Sequence, residues 1–408
     1  MQKILIIPDS LWGSESGHRS TQFLAKALSD SGMQVGIFAS NQDEDNNSGS
    51  FLKRNKVSFF SKSPYRFIHQ FFDFPVSQEF KKVINEFKPE HVLYFGTISN
   101  KVFTKYLIKK KIPYYYLPLT TEYYCLKDFA GTEDGTCYKC IKGNYMHAYK
   151  NKCIEGKNKN LILIKKAIER TISRNRIKNA DKIIAYSNSQ LEVLEQYGAI
   201  TKNAVKTPIF FNAEHLKEIT SSKGNYFAVI GQCTSAKGWH FIPSIIRNTQ
   251  NIKFKLIIYK EDIAKAFIER YKIQDLISAG SVEVLSGLEN HSDVLDVIAN
   301  SRGVLITSVY PSTGEFSLLE SLGLSKPVIV FDAGIHKEIF KDKENALISE
   351  VGDIEKFSND IKNLYSDDIL WDKLSIGSKK VFNQLTNFDN FNDTVEEILR
   401  KKILDINK

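Results

Sequence analysis

No apolar run in this sequence approaches the ~18 residues that a membrane-spanning helix needs. The first such run, Ile4–Ile7, ends at Pro8-Asp9 and is too short for a secretory signal. Both absences point to a soluble, cytoplasmic chain. The opening strand is not followed by GxGxxG, so a dinucleotide fingerprint is unsupported. Cysteine is scarce, five in 408 residues, yet four of the five fall within 29 residues. Acidic side chains are scarce in one segment. Residues 101–180 hold 18 Lys/Arg against 6 Asp/Glu, a net of +12, while the other 328 residues sum to −3. Such a block suits a nucleic-acid surface, an anionic membrane face or an anionic substrate, and a merely solvated surface can carry the same charge.

What is present is a long α/β rhythm. A length of 408 residues with 42% hydrophobic content supports two domains with sizeable cores. Ile4–Ile7, a glycine-bearing loop with Gly17, the amphipathic STQFLAKALSDSG and then QVGIFAS read as strand, loop, helix, strand. Gly17 lets a backbone approach a ligand, or simply makes a turn. Residues 61–87 are rich in aromatics, which suits core packing or an exposed face for a lipid-linked acceptor. NLILIKKAIERTISRNRIK (160–178) reads as a basic amphipathic helix, able to lie on a membrane or to pack on a sheet. Ser221–Asn225, SSKGN, is small, polar and flexible in type, and marks a linker. The expected architecture is two doubly wound Rossmann-like halves facing across a cleft: residues 1–220 with an insertion at 120–158, residues 221–385, and a C-terminal helix at 386–408 returning to the first half.

Two places carry candidate chemistry. The stretch Tyr310–Glu338 follows the buried strand GVLITSVY with a turn, a short apolar helix, Lys326-Pro327 and a second buried strand, VIVF. Such a βαβ unit sets the helix N-terminus at the carboxyl edge of a parallel sheet, where backbone N–H groups favour an anion such as a phosphate. Glu320 falls about one turn inside that helix, within reach of a ligand's hydroxyls. The second place is the pattern C-x11-C-x2-C-x12-C formed by Cys125, Cys137, Cys140 and Cys153. In a cytoplasmic chain this spacing reads as a structural tetrahedral zinc site, with an iron–sulfur cluster or unligated thiols as the alternatives. Cys233 stands apart and reads as a buried thiol.

The ordered series of motifs resembles the GT-B glycosyltransferases, specifically glycosyltransferase family 4 (group 1). ADKIIAYS resembles the family's strand before the domain crossover, and IFFNAEHL its "pNGvd" segment. YFAVIGQCTSAKGWHFI resembles "fvGRlxxxKGxxxl", KPVIVFDAGIHKEIF resembles "PVIasdxGgixEii", and ENALISEVGDIEKFSNDI resembles "nGllvxpgDxexla". The cysteine insertion resembles a C…CxxC loop of some members. The resemblance runs nearly end to end. It implies a GT-B fold and retaining transfer of a sugar from a nucleotide-sugar to an acceptor hydroxyl, without a catalytic metal. The implied acceptor is a glycan or lipid-linked intermediate of surface polysaccharide, lipopolysaccharide or related synthesis, and no nucleic-acid partner is implied. The enzyme would be cytoplasmic or peripheral on the inner membrane face.

The resemblance also assigns roles. Lys237 matches the phosphate lysine. The backbone at Glu315, Phe316 and Ser317 matches the helix N-terminus over the diphosphate, and Gly231 and Gln232 lie in the donor loop. Glu320 matches the second Glu of Glu-x7-Glu, which holds the nucleotide ribose, and Glu338 matches the Glu of "GgixEii". Three departures stand beside these matches. Gln232 replaces an arginine. The first motif Glu falls on Ser312 in the ungapped register, or on Glu315, four residues after Pro311. The family's His-Asp appears as Thr121-Glu122, with His18 or His91 as candidate replacements. These departures support a second reading, a glycosyltransferase-like binding or scaffold protein without transfer.

Overall fold

A computed structural model describes the chain except residues 1, 9–15, 41–51, 63–74, 97–100, 128, 200, 202–203, 289, 312, 388–390 and 400–408. The chain divides into two compact units. The first holds Met1–Phe129, Tyr138–Asn212 and Phe388–Lys408; the second holds Ala130–Cys137 and Ala213–Asn387.

The first unit is built on strands β1 (Lys3–Pro8), β2 (Gln34–Ser40), β3 (Ser58–Lys62), β4 (His91–Phe95) and β5 (Tyr114–Leu117). The chain then makes a two-stranded hairpin, β6 (Gly131–Thr132) with β7 (Gly135–Thr136), before β8 (Lys182–Ala185) and β9 (Val205–Lys206). The sheet runs β3-β2-β1-β4-β5-β8-β9, all parallel. Every residue of β4 and β5 is buried. That is why these strands read as unbroken apolar and aromatic runs: a parallel sheet carries helices on both faces, so neither face alternates to polar. Helix Pro75–Phe87 shows the complementary pattern. It buries Val76, Phe80, Val83, Ile84 and Phe87, one stripe at helical spacing, and Phe80 stacks on Phe103 at 4.1 Å. Of the aromatic stretch at 61–87, Tyr65, Phe67, Phe71, Phe72 and Phe74 lie outside the described residues, as does Gly13.

The second unit carries β10 (Tyr226–Ile230), β11 (Lys253–Ile258), β12 (Val282–Ser286), β13 (Gly303–Ile306), β14 (Val328–Phe331) and β15 (Leu347–Ser349). Their order, β12-β11-β10-β13-β14-β15, is the doubly wound 3-2-1-4-5-6 arrangement, parallel throughout. The order reverses between β10 and β13, and in open parallel sheets ligands bind outside the carboxyl ends of the strands at such a reversal. The loops that leave the carboxyl ends of β10 and β13 are therefore placed at this edge. The core beneath holds Phe227, Val229, Trp239, Leu256, Leu305, Ile329, Phe331, Phe357 and Trp371. Helices Ile354–Ser366 and Asp368–Thr386 close it, each started by an aspartate whose carboxylate accepts from a first-turn N–H: Asp353 from Lys356 and Asp367 from Leu370, both at 2.9 Å.

The linker expected at Ser221–Asn225 is not a free tether. Ser222 N donates to Ala299 O (2.9 Å), Ser222 Oγ to Asn300 Oδ1 (2.9 Å), and Lys223 pairs with Asp372 (2.8 Å) over the Trp371 ring. A Cβ on Gly224 would lie 1.8 Å from Asn300 O. The same small polar residues that signal a linker also let one backbone run directly against another. Gly224→Ala is expected to destabilise the second unit by about 1–3 kcal/mol through overpacking. The check is a urea midpoint followed by tryptophan fluorescence, in which an unchanged midpoint would contradict the tight packing.

Candidate active site

The loop after β10 is fastened to the end of β13 by backbone contacts. Gly231 takes φ 141°, which only glycine adopts readily. The loop then tightens, with Thr234 N donating to Gln232 O (2.7 Å) and Gly238 N to Ser235 O (3.0 Å). Gly238, at φ 69°, has no room for a side chain: a Cβ would sit 1.8 Å from Thr307 O. Thr307 Oγ1 donates to Lys237 O (2.8 Å), and Val309 N donates to Ala236 O (2.9 Å). Trp239 is buried behind the loop, edge-on to Phe267 at 5.4 Å.

Lys237 is thereby pinned at the switch point. Its ammonium donates to Tyr310 OH (3.3 Å), stands over the Tyr310 ring (5.0 Å) and lies 3.4 Å from Glu315 Oε1. Burial alone would lower this lysine's pKa. The Glu315 carboxylate and the Tyr310 hydroxyl more than offset that and hold it above its ordinary value. Glu315 is buried and occupies the N-cap position of helix Phe316–Gly323 with extended backbone. Phe316 and Ser317 form the first turn of that helix, where N–H groups have no preceding turn to bond to.

One turn on, Glu320 is almost fully buried. His291 Nε2 lies 2.8 Å from its Oε1, and His215 Nε2 lies 3.7 Å from the same oxygen. His336, the first residue of the short helix His336–Ile339 that follows β14, is fully buried, its Nδ1 2.9 Å from Phe331 O. Burial pushes its pKa below the ordinary value, so the ring is neutral.

Of the residues singled out by sequence, Gly231, Gln232, Lys237, Glu315, Phe316, Ser317 and Glu320 all belong to the loops and helix at this one edge of the second unit. Gln232 is exposed. Glu338 is exposed on the short helix His336–Ile339. Gly17 lies in the first turn of helix Ser16–Asp30 of the first unit, and Ser312 lies outside the described residues. In the first unit Thr121 is buried, and His91 is buried with Nδ1 2.8 Å from Tyr115 OH. Sequence reasoning missed His215, His291 and His336. A histidine one residue inside a helix start, like His291, has no spacing that would link it to a glutamate in another helix.

The cysteine pattern fares differently. Cys140 sits in a small satellite core with Leu126 and Ala148, and Cys153 packs against it. Cys137 ends the hairpin segment that belongs to the second unit, whereas Cys125, Cys140 and Cys153 belong to the first. Among the described residues, the group whose potential metal-ligand atoms converge is His215, His291 and Glu320, and these cysteines are not part of it. The expected four-thiolate zinc site thus finds no positive support among the described residues, and the insertion packs a small apolar cluster against Leu163 and Ala167 of helix Lys159–Lys178. Cys233 is half-buried, and burial pushes its thiol up to about 12, which leaves it unreactive.

Residues 211–381 match the family described as glycosyl transferases group 1. No curated protein matches the chain. Among solved structures, Anabaena HepE in complex with UDP and glucose is similar over 98% of this chain and 99% of its own, at 16% identity and a TM-score of 0.68. Sucrose-phosphate synthase from Thermosynechococcus elongatus is similar over 98% of each chain, at 12% identity and a TM-score of 0.67. The pneumococcal O-GlcNAc transferase GtfA in complex with UDP and GlcNAc is similar over 98% and 99%, at 11% identity and a TM-score of 0.62. At such identities the likeness establishes the fold, which is GT-B.

Two outcomes follow for this site. Glu315→Gln strips the Lys237 ammonium of its carboxylate and is expected to cost about 3 kcal/mol of stability, read from denaturant melts; a loss near zero would contradict a buried ion pair. Unfolding lets His336 take a proton that its buried ring refuses, so stability is full above about pH 6.5 and falls as pH drops through that value. His336→Gln is expected to flatten that part of the pH–stability curve, and an identical slope would argue against a buried neutral imidazole.

Proposed function

We propose, for a chain whose residues 211–381 match the group 1 glycosyl transferases, retaining transfer of a sugar from a nucleotide-sugar donor to an acceptor hydroxyl. The observation that carries this reading is the meeting of Lys237 with Glu315, one turn from Glu320, at the edge where the strand order reverses. The leaving nucleoside diphosphate gains negative charge as the glycosidic bond breaks. Fixed donors aimed at that charge lower the barrier. Lys237 supplies a cation, and the first-turn N–H groups at Phe316 and Ser317 supply oriented dipoles. Glu320, held by His291, accepts hydrogens from the ribose hydroxyls. Glu315 fills the role of the first motif glutamate in preference to Ser312, and it releases Lys237 to the diphosphate when donor binds. Gly231 and exposed Gln232 border the donor, and Glu338 lines its outer part. In this scheme the charge on the diphosphate is met by these groups, with no role for a catalytic metal.

UDP-hexoses are the proposed donors, because HepE and GtfA, both similar in fold, are known in complex with UDP and a sugar. The proposed acceptor is a glycan or lipid-linked intermediate of surface polysaccharide or lipopolysaccharide synthesis. Helix Lys159–Lys178 supports the lipid-linked form. Leu161, Ile162 and Ile164 are exposed beside Lys159 and Lys165, a combination that suits an anionic membrane surface on the cytoplasmic side. No helix among the described residues is long and apolar enough to cross a membrane. A nucleotide-sugar-binding protein without transfer is the second reading, and exposed Gln232, where the family carries arginine, favours it.

The deciding experiment is transfer from a panel of UDP- and GDP-sugars to glycan and lipid-linked acceptors, with calorimetry on the same donors. Glu320→Ala is expected to weaken UDP binding about tenfold or more, since it leaves a buried ribose hydroxyl pair without a charged acceptor. Equal binding and turnover in that variant would overturn the assignment. Donor binding without transfer to any acceptor would favour the second reading.

A further inference from the structure

The hairpin Gly131–Thr136 lies in the cysteine-bearing insertion, yet it belongs to the second unit while residues on both sides of it belong to the first. With two residues per strand, closed by Thr132 Oγ1 to Gly135 O (3.0 Å) and Cys137 N to Ala130 O (2.8 Å), it is too small to hold its shape alone. What it touches must hold it.

Its seat is the loop that carries Lys237. Gly131 lies flat on Ala236: a Cβ there would come within 2.4 Å of Ala236 Cα and 2.7 Å of Ala236 Cβ. Across the hairpin, Thr136 Oγ1 donates to Val309 O at 2.6 Å. Val309 N in turn donates to Ala236 O at 2.9 Å, so Thr136, Val309 and Ala236 form one continuous chain of contacts. The next residues along the two strands of this contact are Tyr310 and Lys237, whose side chains meet at 3.3 Å. At the turn, Glu133 O is 3.2 Å from His240 Nε2, three residues past Lys237. The outer pair, Glu133 with Arg270 at 3.8 Å, is exposed on both sides and contributes little.

We propose that this hairpin is a positioning element for the donor diphosphate: Gly131 and Thr136 fix the backbone at Ala236 and Val309 and thereby set where Lys237 and Tyr310 stand. Neither residue touches donor. The inference rests on the donor-site reading above and adds to it a second segment of chain, supplied by the insertion. It also accounts for the glycine at 131, which the cysteine spacing leaves without a role.

The test uses the full chain and calorimetric titration with UDP and GDP, together with steady-state kinetics on whichever donor the panel identifies. Thr136→Val keeps the shape and removes the hydroxyl donor. It is expected to weaken nucleotide binding and lower kcat by about fivefold to tenfold, the span carried by one net hydrogen bond, with acceptor KM unchanged. Thr136→Ser is expected to restore both. Gly131→Val, which must lift the hairpin off Ala236, is expected to lower kcat about a hundredfold, as misplacement of a catalytic group by an ångström does. Arg270→Ala, at the exposed end, is expected to behave as wild type. Wild-type nucleotide affinity and kcat in Thr136→Val, or no rescue by serine, would overturn the hairpin's role while leaving the donor site intact. Absence of UDP and GDP binding to the wild type would instead overturn the donor-site reading and this proposal with it.

Discussion

A largely buried ammonium needs a carboxylate beside it, and in this protein that need shapes the site. Lys237 reaches its position because the loop after β10 is locked to the end of β13 by backbone contacts too close for any side chain. Once there, burial works against its charge, and Glu315 answers it from the start of the next helix. The pair joins the two loops on either side of the reversal in strand order. Removing either partner therefore disturbs both the stability of that edge and the charge presented to an anion.

Much of this edge was legible in the sequence. β10, β13 and β14 are short, apolar, β-branched runs bounded by turn residues, and Lys326-Pro327 stops the intervening helix where the pattern breaks. Those local signals suffice to put Lys237, Glu315 and Glu320 on loops and a helix that follow buried strands. The histidines were not legible, because His215, His291 and Glu320 come from three separate segments and meet only once the sheet is wound. The register at Ser312 and Glu315 was likewise open from sequence. The contact of Glu315 with Lys237 is a tertiary fact that spacing alone does not encode.

At two places packing adds to what local chemistry shows. SSKGN has linker composition, yet glycine and serine there allow a backbone to lie along residues 299–301. The cysteines have metal-site spacing, and among the described residues they are not part of the group whose potential ligand atoms converge. Cys140 and Cys153 contribute to a small apolar cluster, in line with the tendency of cysteine to be buried.

The hairpin also changes what counts as a separable part. The chain passes between the units not once out and once back but also around residues 130–137, so each unit is assembled from non-adjacent lengths of sequence. A chimaera that joined the first 212 residues of this protein to the second half of a relative would bring Gly131 and Thr136 to a foreign loop, and the reciprocal chimaera would leave the native loop without its cover. Recombination at the obvious crossover is thus constrained: the insertion and the Lys237 loop have to be inherited as a matched set, although about a hundred residues separate them.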